Sequence, residues 1–139
     1  AYIRYVGRMK TAPAFDAPDL STGENELFGT QSIKARHFTH FGQDHDTAGG
    51  SLAESGIIKM LNPMNYIGFE GATSARHWRI RHGAIDRDTA LAVPVILAAT
   101  LEKAGLDVDF AVPWGQGHGG DYDLNELFDW IRSVCAEGR

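Results

Sequence analysis

From Trp78 to Cys135 the chain alternates strand-like and helix-like stretches, and glycine or proline falls between them. That order admits few folds. Trp78 to His82 reads as a strand ending at Gly83. Thr89 to Lys103 reads as a helix with Leu91, Val95 and Leu101 among its apolar positions. Pro94 must start or kink it, because proline cannot donate the backbone bond there. Gly105 suits the helix end. Val108, Phe110 and Val112 alternate as a second strand should. Asp123 and Glu126 have capping-box spacing for a last helix, in which Leu124, Leu127, Phe128, Ile131 and Cys135 share a face. Strand, helix, strand, helix is one right-handed crossover unit plus a closing helix. Parallel strands are buried on both faces, so such a unit cannot stand alone. The expectation is an α/β class chain that completes a mostly parallel sheet supplied largely by something else.

The preceding residues are irregular. Tyr2 to Met9 can form a short strand, after which Pro13 and Pro18 break whatever surrounds them. Ser21 to Asn25 is a loop or a helix start. Thr30 to Phe41 fits a helix with Ile33, His37 and His40 on one side, Gly42 to Gly50 an open loop, and Ile57 to Tyr66 an apolar stretch interrupted by Pro63. The spacing therefore predicts two parts, residues 1–65 and 66–139.

Composition narrows the function. With 139 residues, 43% hydrophobic and 22% charged, the chain suits about one globular domain. Its formal charge of −5 disfavours a nucleic-acid partner, which wants a basic patch. A single cysteine, Cys135, allows no disulfide within the chain. No apolar run approaches a membrane span, and no cofactor is implied. The chain opens on Ala1 rather than Met, and a trimmed start or the cut of a longer precursor is the expectation. Cleaved two-chain enzymes lean toward a secreted or periplasmic setting, which the composition does not decide.

Asp86 and His118 each lie in a loop after a strand and before a helical pattern. Loops at the carboxyl ends of adjacent parallel strands are brought close, because neighbouring strands lie about 4.8 Å apart. A serine hydroxyl needs an imidazole to take its proton and a carboxylate to hold that imidazole. In one large class of α/β enzymes the chain order is nucleophile, acid, base, with the serine on a Gly-x-Ser-x-Gly turn. That turn is absent from this sequence. Asp86 and His118 then read as acid and base, with the serine on an amino-terminal partner chain. Spacing alone supports equally a helix-start carboxylate and a loop histidine.

Other patterns carry less. The run Gly115 to Gly120 satisfies Gly-x-Gly-x-x-Gly, but a dinucleotide fold needs a further strand and an acidic residue beyond the helix. His37, His40 and His45, with Asp44 and Asp46 beside them, suggest a metal only if further ligands converge. Surface histidines in a polar loop are the commoner outcome, and no metal site is assigned. His77 and His82 are structural on this reading. Trp78, Trp114 and Trp130 pack, with Trp114 near enough to His118 to wall a pocket. Arg79, Arg81 and Arg87 pair with carboxylates on a solvated face.

The stretches HWRIRHGAIDRDT (His77 to Thr89) and VPWGQGHGGDYDL (Val112 to Leu124) resemble the bacterial tannases, or tannin acylhydrolases. The similarity extends over the whole chain, including Arg8 to Asp16 and Glu24 to Thr30. Tannases are serine esterases of the α/β-hydrolase fold with a large lid domain inserted in the core. The resemblance implies that residues 1–65 end the lid and residues 66–139 form the carboxyl-terminal part of the hydrolase core. It implies Asp86 as triad acid and His118 as base. The family grips the phenolic hydroxyls of a galloyl group with a lysine, a glutamate and an aspartate, which correspond to Lys10, Glu24 and Asp88, with Glu26 second to Glu24. The implied reaction is hydrolysis of galloyl or related aromatic esters, with the serine on the partner chain. A feruloyl or hydroxybenzoyl ester, an amide, and a non-catalytic phenol-binding module are the alternatives.

Overall fold

The structure, a computed structural model, describes residues 15–120 and 122–137. The expected strand from Tyr2 to Met9 and the candidate Lys10 lie outside them. The described residues divide into two compact units, one running to Glu70 and the other starting at Gly71.

The first unit carries short helices joined by long irregular segments. These are α1 (Gly23–Leu27), α2 (His40–Asp44) and α3 (Ser55–Leu61), followed by a 3₁₀ turn over Pro63–Tyr66. Asn62 ends α3, and its side chain accepts the Met64 N–H at 3.1 Å, which opens the turn that Pro63 begins. The helix expected over Thr30 to Phe41 does not form. His37 instead makes an isolated parallel bridge with Leu52, donating to Ser51 O at 3.0 Å and accepting from Ala53 N at 2.7 Å. The N–H groups of Phe38 and Thr39 go to the Asp16 carboxylate, so helical bonding cannot cross this stretch. The chain turns helical only at His40, where the Thr39 hydroxyl accepts the Gly42 N–H at 2.9 Å. Gly42 to Asp44 thus belongs to a helix, and the loop is shorter than the sequence suggests.

The second unit has the expected order: β1 (His77–Arg81), α4 (Ala92–Lys103), β2 (Asp107–Ala111) and α5 (Leu124–Glu137). The strands pair in parallel, from His77 opposite Asp107 to Arg81 opposite Ala111. α4 starts later than the pattern indicated, because the Asp88 and Thr89 N–H groups are held by the Asp86 side chain. Pro94 then sits in the first turn, where its missing N–H costs little. The helix ends in a Schellman motif: Gly105 N–H reaches Glu102 O, Leu106 N–H reaches Leu101 O, and Gly105 takes φ 80°.

The arginine cluster does more than decorate a solvated face. Arg79 and Arg81 project from the same side of β1. Their side chains are only 6% and 15% exposed. Arg79 donates to Asp123 at 2.5 Å; Arg81 reaches Asp123 at 3.2 Å and Asp109 at 2.6 Å. The Asp123 carboxylate, expected to cap α5, is the anchor that ties its start to β1. His77 reinforces this, meeting Asp107 at 2.8 Å and Glu137 at 3.4 Å. Among the described residues two strands make the whole sheet. Much apolar surface stays open, including Val93, Val95 and Ile96 on α4 and Leu124, Phe128 and Ile131 on α5.

Candidate active site

The parallel pairing continues past the strands and knits the two following loops together. His82 N–H donates to Ala111 O at 3.2 Å, Ala84 N–H to Pro113 O at 2.9 Å, and Ile85 N–H to Gln116 O at 3.0 Å. The approach is so close that a Cβ on Gly83 would lie 2.2 Å from Gly117 O and 2.3 Å from Gln116 O. Gly115 turns the other loop at φ 73°. Side chains on these loops therefore have fixed places.

Asp86 and His118 meet there. His118 Nδ1 lies 3.0 Å from Asp86 Oδ2. The other Asp86 oxygen accepts the Asp88 N–H at 2.7 Å and the Thr89 N–H at 3.0 Å. Burial pushes this carboxyl's pKa up, but the bonds from Thr89, His118 and Asp88 outweigh it, and the group is held below the ordinary 3.8. An ionised carboxylate only accepts, so it selects the Nδ1–H form of the imidazole and leaves Nε2 as a base. Asp86 is 5% exposed in its side chain and His118 61%. A sealed carboxylate thus holds an open imidazole, the polarity that proton abstraction from a separate hydroxyl requires.

Asp88 stands beside this pair, its Oδ2 3.6 Å from His118 Nε2. His82, read from sequence as structural, is buried with Nδ1 3.6 Å from the same Asp86 oxygen that meets His118. Its place just after β1, four residues before Asp86, was the signal available. Trp114, four residues before His118 in the same loop, is 84% exposed. Glu24 lies in the other unit, half-buried on α1, and Glu26 is exposed on the same helix. Lys10 is outside the described residues.

Among the described residues no group of metal-ligating side chains gathers. His37 is not a surface residue: it is fully buried, with Asp16 and Asp46 on its two ring nitrogens. The sequence sets Asp46 near His37, but Asp16 lies 21 residues before that histidine and carries no signal that links the two.

If the loop crossing at Gly83 sets the pair, Gly83→Ala should cost on the order of 10²-fold in kcat, the scale of an ångström-size misplacement. The methyl must push aside the backbone oxygens beside His118. A kcat within twofold of wild type in the complete enzyme would show that the loops tolerate the shift.

No family model and no curated protein matches the chain. Solved structures do. The tannase of Lactobacillus plantarum superposes with a TM-score of 0.89 at 49% identity, covering 97% of this chain and 29% of that one. The tannin acyl hydrolase in complex with ethyl gallate gives 0.88 at the same identity, with 97% and 29% covered. The Fusobacterium nucleatum tannase gives 0.80 at 52% identity, covering 91% of this chain and 28% of that one. The chain spans under a third of the length of these structures.

Proposed function

Because this chain belongs to the bacterial tannase family over the stretch it spans, we propose that it is the carboxyl-terminal part of a serine esterase acting on galloyl or related polyhydroxylated aromatic esters. The observation that carries the proposal is the buried Asp86 holding the exposed His118 through Nδ1, on loops after adjacent parallel strands. Residues to about Tyr66 would end the lid, and those beyond would belong to the hydrolase core. The apolar faces of α4 and α5 and the two-stranded sheet support a larger core around them. The nucleophilic serine would come from an amino-terminal hydrolase part, which the sequence reading assigns to a partner chain. In the solved tannases the matched stretch is a minor part of one longer chain.

The chemistry proceeds from the side chains. His118 Nε2 takes the serine proton as the serine oxygen attacks the ester carbonyl. The imidazolium, stabilised by Asp86, returns that proton to the departing alcohol. Nε2 then deprotonates a water that cleaves the acyl-serine ester, and the proton goes back to the serine. Asp88, beside Nε2, is assigned to a phenolic hydroxyl, as is Glu24; Lys10 is assigned to a phenolic oxygen as donor. Phenols donate strongly to carboxylates, and ammonium groups donate to oxygen. Solved tannin acyl hydrolase complexes with ethyl gallate and with 3,4-dihydroxybenzoate support an acyl group of this kind.

Intact-mass analysis of the native protein after fluorophosphonate labelling, combined with methyl gallate hydrolysis, tests the proposal. A labelled serine on a bound second chain, with gallate turnover, is the expected result. A label on a longer polypeptide containing this sequence would keep the esterase and remove the partner chain. Absence of both label and ester hydrolysis would leave a phenol-binding module instead.

A further inference from the structure

Glu24 sits on a helix too short to hold it. α1 spans Gly23–Leu27 and has no side-chain hydrogen bond at its N-cap, and so brief a helix has little stability of its own. The residue after Glu24 ties the helix to the chain around it. Asn25 is fully buried, and its amide can be oriented only one way. Nδ2 donates to Asp16 Oδ1 at 2.7 Å and to Arg36 O at 3.1 Å, while Oδ1 accepts the Ala17 N–H at 3.2 Å.

Asp16 is itself the centre of a buried array. Its Oδ1 also lies 2.8 Å from His37 Nδ1, and its Oδ2 accepts from Phe38 N, Thr39 N and Thr39 Oγ1 at 3.1, 2.8 and 2.6 Å. Across the ring, His37 Nε2 is 3.1 Å from Asp46 Oδ1. Asp46 in turn receives the Ala48 N–H at 3.0 Å and the Gly50 N–H at 2.8 Å. Carboxylates only accept, so both ring nitrogens carry hydrogen and His37 is an imidazolium between two anions.

The surrounding backbone is shaped to this array. A Cβ on Gly42 would come within 2.4 Å of Asp16 Oδ2, and one on Gly50 within 3.2 Å of His37 Nε2. Phe15 and Leu20, on either side of Asp16, take φ values of 77° and 58°, a region that side-chain-bearing residues rarely adopt. Such conformations persist only where the surroundings over-determine them, and they cluster at functional sites.

We propose that the Asp16–His37–Asp46 array, acting through Asn25, is the positioning element that sets Glu24 for a phenolic hydroxyl of the substrate. This rests on the assignment of Glu24 made above. A hydrogen bond to a carboxylate weakens steeply with misalignment, so the array acts on hydroxyl recognition rather than on ester cleavage.

The test is the ratio of kcat/KM for methyl gallate to that for methyl benzoate, measured on the complete enzyme with its serine-bearing part. Partial unfolding lowers both terms equally and cancels. His37→Gln, which removes the charge, should lower the ratio about tenfold through the gallate KM, the scale of one charge-assisted hydrogen bond. Glu24→Gln should lower it at least as much. The double variant should fall no further than Glu24→Gln alone, since both act through one contact. A wild-type ratio in His37→Gln alongside a lowered one in Glu24→Gln would overturn the positioning role and leave Glu24 in place. A wild-type ratio in Glu24→Gln would remove the Glu24 assignment and the positioning role together. Should His37→Gln fail to fold, Asp46→Asn keeps the shape and should lower the ratio several-fold, about the worth of weakening one such bond; an unchanged ratio there overturns the proposal equally.

Discussion

Asp86→Asn should lower kcat for methyl gallate by about 10⁴-fold with the melting temperature nearly unchanged, the scale set by a triad locked in the wrong tautomer. The argument lies in how Asp86 divides its oxygens. One accepts the Asp88 and Thr89 N–H groups and shapes the loop, and the other faces His118 Nδ1. Asparagine keeps the first role with its carbonyl oxygen and reverses the second. Its NH₂ then donates to Nδ1, the imidazole proton moves to Nε2, and the atom proposed to accept the serine proton becomes a donor. Geometry survives and the base does not. His118→Gln should lose more, and the two together should lose little beyond His118→Gln alone, because they act as one unit. A kcat within tenfold of wild type in folded Asp86→Asn would remove this pair from the catalytic role.

The legible parts of the molecule are those whose signal is local. Strand alternation at Val108 and Phe110, the glycine after Lys103 and the amphipathic last helix all appear as expected. Asp86 and His118 lie 3.0 Å apart on two loops that follow neighbouring parallel strands. The rest depends on side chains that capture backbone groups far away. Asp86 takes the Thr89 N–H and delays α4. Asp16 takes the Phe38 and Thr39 N–H groups and abolishes a helix that the apolar spacing favoured. Asp123 stands just before α5, as its spacing to Glu126 indicates, but nothing in that spacing shows that its side chain anchors Arg79 and Arg81. No period in the sequence marks such captures, since a lone Asp in a turn-rich stretch resembles any other. His37 shows the same limit: beside His40, His45 and Asp46 it reads as a surface or metal-binding histidine, and it is instead a buried ring held between two carboxylates.

The buried array should also govern how stability varies with pH. Burial opposes the charge on His37, but its hydrogen bonds and charge interactions with Asp46 and Asp16 prevail, raising its pKa above the ordinary 6.5. These carboxylates are the charged groups that face the ring. Burial likewise opposes Asp16, and bonds from Thr39, His37 and Asn25 hold it below 3.8. The bond with His37 lowers Asp46 as well. A raised histidine contributes fully below the unfolded value near 6.5 and loses its contribution as pH climbs through the folded value. Lowered carboxylates contribute fully above 3.8 and lose theirs as pH falls through the folded values. The array therefore stabilises most between 3.8 and 6.5, and the melting temperature should decline on the alkaline side of that window. His37→Gln should flatten that alkaline decline while lowering stability throughout the window. Asp16→Ala should cost about 3–5 kcal/mol inside the window, because it strands a buried imidazolium with one carboxylate fewer. Since the imidazolium can escape by losing its proton, that cost should shrink as pH rises. Melting and denaturant curves from pH 5 to 9 decide the matter: an alkaline decline that persists unchanged in His37→Gln would mean that another group controls it.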